Sequence, residues 1–178
     1  LNLACAARRM SQVATEAERL RLADVLGRQA RQLLRPPGGV AGRTERLIAA
    51  AVAGCVLAGA PGASLRRAAL RALPSALART VGEDGAHASR SPEAGLELLL
   101  DLLTLEDALA QLSEPTPDAM RSAIRRLTSA ARFHTLPDSR LITLQGGGPS
   151  TPARVAAAVA HDDIEDVEAP TGTVGGVA

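Results

Sequence analysis

Apolar residues recur every third or fourth position along almost the whole chain, and short links rich in Pro and Gly separate the runs. This spacing places one apolar stripe on a helix. In the run after Thr15, for example, Leu22, Leu26 and Leu33 share one face, and most of the arginines lie off it. The pattern predicts seven helices, which cover approximately residues 1–10, 15–35, 42–58, 64–77, 91–112, 117–131 and 151–161.

Several predicted helices have clear start signals. Thr15 and Glu18 have the spacing of a capping box, in which each side chain binds the other residue's backbone amide. Ser91-Pro92-Glu93 combines an N-cap residue, a proline at the first helical position and an acid in the first turn. Ser64 is expected to cap the fourth helix, and Pro74 is expected to kink or split it.

The rhythm of helices and short links predicts an all-α fold built from antiparallel helix pairs. It favours a curved or toroidal α/α array over a four-helix bundle, with one short extended segment near 141–145. Residues 1–162 are predicted to form this helical domain. The tail 163–178 is acidic and then rich in Gly, Thr and Val, which predicts disorder. Because the chain begins with Leu, we expect it to be a fragment, which leaves the compartment undetermined.

The composition limits the possible partners. There is no Trp or Tyr and only one Phe, and the net charge is +1, so neither base stacking nor electrostatics favours nucleic acid. The longest apolar run, Leu47–Ala60, is too short to span a bilayer and predicts a core helix. Cys5 and Cys55 lie in apolar runs and are interpreted as buried free thiols. No grouping of His and Cys suggests a metal, and no cofactor is expected.

The polar loop at 81–91 concentrates the candidate chemistry. His87 could orient or neutralise a substrate carboxylate, or it could only shape the loop. Arg90 could clamp a carboxylate with two hydrogen bonds, or it could be an ordinary surface arginine. Ser91 is better explained as an N-cap and Asp84 as a turn residue.

A second loop follows at 137–148. Gln145, with the glycines after it, could present an amide and backbone N–H groups to a sugar, or it could belong to a flexible link.

These two loops resemble segments of a known family. The run DGAHASRSP at 84–92, followed by a Leu-rich helix, and the later PDSRLITLQGGG at 137–148 are similar to the helical domain of heparinase II/III-type polysaccharide lyases. In that family the helical domain is an incomplete toroid, a β-sandwich follows it, and an acidic polysaccharide binds between them and is cleaved by β-elimination. The resemblance implies His87 as a catalytic residue, and Arg90, Ser89 and Gln145 as substrate-binding residues.

The sequence departs from the family pattern in ways that bear on activity. The family's Tyr-His pair falls at about Ala94-Gly95, and the aromatic residue of the second loop is replaced by Leu144. The resemblance therefore implies one wall of a substrate cleft, inactive without a downstream β-sandwich, and leaves open whether the chain is an enzyme. It is compatible with a periplasmic or cell-envelope location. The alternative is a non-catalytic helical module that binds carbohydrate or protein.

Overall fold

The structure, a computed structural model, describes residues 1–35, 42–145, 147–148 and 150–160. The described residues form seven α-helices and no strand, which confirms the all-α prediction. The helices are α1 (Asn2–Val13), α2 (Glu16–Leu33), α3 (Arg43–Val56), α4 (Gly59–Thr80), α5 (Pro92–Ala110), α6 (Asp118–Phe133) and α7 (Pro152–Ala160). None of the described helices combines enough length with enough apolar character to cross a membrane.

The local start signals of α2 and α5 are present in the structure. The Thr15 backbone N–H donates to the Glu18 carboxylate at 2.8 Å, and the Glu18 N–H donates back to Thr15 Oγ1 at 3.4 Å. Both bonds supply partners to amides that a helix leaves without any at its first turn. The hydrogen bonds to Thr15, backbone first, lower the pKa of Glu18. At α5, the Ala94 N–H donates to Ser91 Oγ at 3.4 Å, as expected for an N-cap.

The prediction for the start of α4 was wrong, because the helix begins at Gly59 and Ser64 lies inside it and does not cap it. The helix continues through Pro74 without a split, and a kink at Pro74 stays a prediction. Pro61 is tolerated near the start because the first amides of a helix have no intrahelical acceptor. Pro74 removes one backbone hydrogen bond, but its neighbours Leu73 and Leu77 are almost completely buried. Their burial offsets the loss of that bond.

The chain divides into two compact units. The first unit comprises Leu1–Ala76 and Thr104–Thr116, and the second comprises Leu77–Leu103 and Pro117–Ala178. Helices α4 and α5 contribute residues to both units.

The centre of the first unit is α3, as its continuous apolar character predicted. It packs against α1 and α2, and it is buried on most of its faces, including Leu47, Ile48 and Val52. Gly54 permits α4 to approach closely, because a Cβ at this position would lie 2.6 Å from the Arg66 backbone nitrogen. The Arg66 guanidinium donates to the Gly54 carbonyl at 3.2 Å and pairs with the Glu114 carboxylate.

In the second unit the core is formed by the first part of α5 and by the apolar stripe of α6. The four residues predicted for that stripe are all buried: Met120, Ile124, Leu127 and Ala131. Helix α7 packs on α6 through Val155 and Ala158.

Of the extended run predicted at 141–145, only Leu141 forms a bridge, which is an isolated one with Thr135. Gln145, at the end of the run, lies in a turn. The predicted helix end near His161 and the predicted tail 163–178 lie outside the described residues, as does the Pro-Gly link at 36–41.

Candidate functional site

The loop between α4 and α5 is held by its own backbone. Val81 and His87 form an antiparallel bridge, and the Gly82 N–H donates to the Ala86 carbonyl at 2.9 Å. Asp84 Oδ1 accepts the Ala86 N–H at 3.0 Å, so this carboxylate closes an Asx turn inside the loop. The sequence suggested this turn role for Asp84, and the structure contains it.

Gly85 fixes the loop against α6. Its φ is +79°, and a Cβ added there would lie 2.1 Å from the Arg126 carbonyl oxygen. From the same turn of α6, the Arg126 guanidinium donates to the Gly82 carbonyl at 2.8 Å. Only a glycine combines this φ with so close an approach. The Asp-Gly pair therefore has a structural reason that needs no substrate.

His87 also takes part in the internal bonding of the loop. Its Nδ1 accepts the Ser89 backbone N–H at 3.1 Å and lies 2.7 Å from Ser89 Oγ. Since a backbone N–H can only donate, Nδ1 is the acceptor in the bond from Ser89. Ser89 Oγ in turn accepts the Ser91 N–H at 3.3 Å. The imidazole thus supports the start of α5.

Arg90 is exposed and has a φ of +57°, an unusual conformation for a residue other than glycine. Its N–H donates to the His87 carbonyl at 2.7 Å, which tightens the turn before Ser91. The backbone strain of this positive φ lies in the turn that leads into α5.

The second predicted loop does meet the first. The Glu93 carboxylate, in the first turn of α5, accepts the Gly148 N–H. A Cβ on Gly147 would lie 3.1 Å from Ser91 Oγ, so the glycines sit against the helix start. Gln145 is exposed with a φ of +51°, and it is Leu144 that faces the first loop. The structure therefore brings the two loops together and places Leu144 in the lining of the cavity between them, while the substrate-binding role of Gln145 stays a prediction.

A small cavity lies where the loops meet α5 and α6. Its lining includes His87, Arg90, Ser91, Leu144 and the buried His134, and its volume is about 20 Å³. That is room for a single water molecule, whereas ligand pockets have volumes of about 300–1,000 Å³. His134 follows the last residue of α6, and nothing in its local sequence places it beside the loop.

Larger concavities lie in the first unit, and the sequence reasoning did not find them. One, of about 560 Å³, lies beside Gly27, Leu34 and Leu65, and another, of about 470 Å³, lies beside Leu22 and Val56. They share Ala23, Leu57 and Ala58 as lining residues, so they adjoin as one surface, which we call the first-unit groove. The residues come from α1, α2, the end of α3, the start of α4 and Gln111 just after α5, so no local motif could mark them.

Cys55 lines one arm of this groove. Burial raises the pKa of its thiol, the positive charge of Arg66 partly opposes this, and the Glu114 carboxylate adds to it. The thiol is therefore held in its neutral form near neutral pH. Cys5, interpreted from sequence as buried, is exposed because it lies on an outer face of α1. No group of three or more His, Cys, Asp and Glu side chains within the described ranges could hold a metal ion.

The geometry describes an all-helical protein with a tightly bonded loop in one unit and an open groove in the other. Over 162 residues, 91% of its length, the chain is 52% identical to FtsZ-localized protein C of Caulobacter vibrioides. The aligned part is 28% of that relative, so the chain spans well under a third of the relative's length. No family model matches the chain. No solved structure matches it either.

These findings correct the lyase interpretation. The resemblance to heparinase II/III-type lyases was wrong, since no family model supports it and the relative found is an FtsZ-localized protein. The β-elimination reaction and the acidic polysaccharide partner rested on that resemblance and lose their support. The relative does not support the carbohydrate-binding alternative either. The run at 84–92 wrongly indicated a lyase, because Asp84, Gly85 and Ser91 have structural roles that need no polysaccharide.

The observations do not test a functional role for the four candidate residues. A catalytic role for His87 and a binding role for Ser89, Arg90 and Gln145 stay predictions without an assigned substrate.

Proposed function

We propose that this chain is a helical protein-interaction module with a role related to cell division, and that it directs localisation to FtsZ. The supporting observation is the 52% identity over 162 residues with FtsZ-localized protein C. The chain corresponds to 28% of that relative, so the proposal assigns the localising property to this part of a longer protein.

Two features favour an interaction module over an enzyme for this part. The polar loop makes hydrogen bonds within itself and to α6, and its cavity is the size of one water molecule. The first-unit groove, in contrast, offers open apolar surface of the kind that marks binding sites.

We also propose that the helices are arranged as antiparallel pairs in a curved array. Small-angle scattering of the purified chain would test it against a compact bundle.

A segment exchange tests the localising role directly. In Caulobacter cells expressing a fluorescent fusion of FtsZ-localized protein C, the segment equivalent to this chain is deleted or replaced by this chain. We expect the deletion to abolish co-localisation with FtsZ and the replacement to restore it. A deletion variant that is present at normal level and still co-localises with FtsZ would show that the property lies elsewhere in the relative.

A further inference from the structure

The first-unit groove has a charged rim as well as an apolar floor. The small residues Ala23, Gly27 and Ala58 and the larger apolar residues Leu57 and Leu65 all line it. Arg19 and Arg31 line its two arms, and Arg67 and Arg71 line an adjoining concavity that shares Ser64 with it. The combination is an apolar channel bordered by cations.

The rim arginines have no described carboxylate partner. The ion pairs of Arg28 with Asp24 and of Arg66 with Glu114, both in the first unit, involve no rim arginine. Asp24, the carboxylate that lines the groove, is already paired in this way. A partner's carboxylates could therefore pair with the rim without displacing an existing bond.

The charge of the whole unit has the same sign. The first unit contains 12 arginines and seven carboxylates, which gives +5, while the second unit contains eight arginines and 12 carboxylates, which gives −4. The net charge of +1 conceals this separation. A field of this sign attracts anionic partners to the first unit and raises their association rate.

The first unit also has exposed apolar side chains, of which Val56 lines the groove. Val13 is 89% exposed and Leu20 66% exposed, and Met10 and Val56 are each about 40% exposed. All four belong to the first unit. Apolar surface with an arginine border is typical of the anchor region of a protein interface.

We propose that the first-unit groove binds an acidic amphipathic helix of a partner protein. Its apolar side chains, spaced three and four residues apart, would enter the two arms of the groove, and its carboxylates would pair with Arg19, Arg31, Arg67 and Arg71. The proposal deepens the interaction role but does not require the partner to be FtsZ. Peptide binding therefore tests the groove, and the segment exchange tests the localising role.

The test is fluorescence anisotropy with the full chain and a labelled peptide. The probe carries leucine at every third and fourth position and glutamate between them. A second peptide replaces glutamate by lysine, and a third replaces leucine by serine. We expect the acidic amphipathic probe to bind and both altered peptides to bind at least about tenfold more weakly, with affinity falling as salt rises.

Variants locate the site. Ala23→Phe fills the junction of the two arms from an exposed helix position and is expected to abolish binding. Arg31→Glu and Arg67→Glu should each weaken binding about three- to tenfold. Arg125→Glu, an exposed charge reversal on α6 in the second unit, changes the net charge equally and should have little effect. Circular dichroism checks that each variant is folded.

Four results would overturn the proposal. They are equal binding of all three peptides, no binding of any, an Arg125→Glu effect as large as that of Arg67→Glu, and binding to phosphatidylglycerol vesicles without binding to the probe. A last variant replaces 36–41, which follows the groove residue Leu34, by a Gly-Ser segment of equal length. Higher probe affinity there would mean that the chain's own link competes for the groove, which also contradicts an open site.

Discussion

Replacing Gly85 by Ala should destabilise the second unit strongly. An L-residue at a φ of +79° costs about 1–2 kcal/mol. The added Cβ would also lie 2.1 Å from the Arg126 carbonyl oxygen, a backbone atom that cannot rotate away. Overpacking of this kind costs about 1–3 kcal/mol. The expected loss is therefore about 2–5 kcal/mol, a large part of the stability of an ordinary domain.

Gly95→Ala is the matched control. Gly95 lies in α5 beside the same cavity, and a Cβ there would lie 3.8 Å from Leu127 Cδ2 and 3.9 Å from His87 Cβ, which is ordinary contact. Alanine is favoured over glycine inside a helix by about 1 kcal/mol. The two changes add the same methyl group to the same unit, yet we expect opposite signs.

Urea unfolding followed by far-ultraviolet circular dichroism measures both variants, because a chain without Trp or Tyr lacks the usual fluorescence probes. Hydrogen exchange then localises the effect, since the units can unfold separately. In Gly85→Ala, amide protection should fall at Gly82 and Ala86, which bond within the loop. A Gly85→Ala variant as stable as the wild type would refute the proposed docking of the loop on α6.

Three further predictions concern the first unit. Thr15→Ala should cost about 1 kcal/mol by removing the side-chain cap, and NMR titration should show the pKa of Glu18 rising only part of the way to its ordinary value, because the backbone N–H of residue 15 still binds the carboxylate; an unchanged pKa would contradict a contribution from the Thr15 hydroxyl. Glu114→Gln should cost about 2 kcal/mol in urea unfolding, because it weakens the pairing of the largely buried Arg66, and Arg66→Met with Glu114→Gln should restore part of that loss. Cys55 should react with iodoacetamide more slowly than an exposed thiol. Its raised pKa contributes stability that is fully present below the thiol's unfolded pKa, near 9.0, and is lost as pH rises through the higher folded value. If the difference in unfolding free energy between the wild type and Cys55→Ala were the same at pH 8 and at pH 10.5, this prediction would be contradicted.

Predictions based on local spacing succeeded where the physics is local. The capping box of Thr15 and Glu18 and the start of α5 at Ser91 depend on groups three residues apart, which any sequence displays directly. The buried stripe of α6 follows from helical periodicity. Ser64 failed as a cap because the chain could already begin α4 five residues earlier, at Gly59.

The polar loop illustrates how a motif can be over-interpreted. Its residue types suit carboxylate chemistry, and the sequence offers no evidence of where their bonds go. In the structure, Asp84 bonds to Ala86 and His87 to Ser89, so the loop satisfies much of its own polarity. The same residue types would look identical in a sequence if they faced a substrate.

By itself, the sequence determined the all-α class, most helix positions and two helix starts, because each depends on neighbours within one or two turns. Only the tertiary structure decided that Gly85 clamps a loop to Arg126, 41 positions further along the chain. It also decided that side chains from α1, α2, α3 and α4 border one groove with a cationic rim. These features depend on which helices pack together, and the small Ala and Gly residues that leave the groove open carry no signal in a sequence read alone.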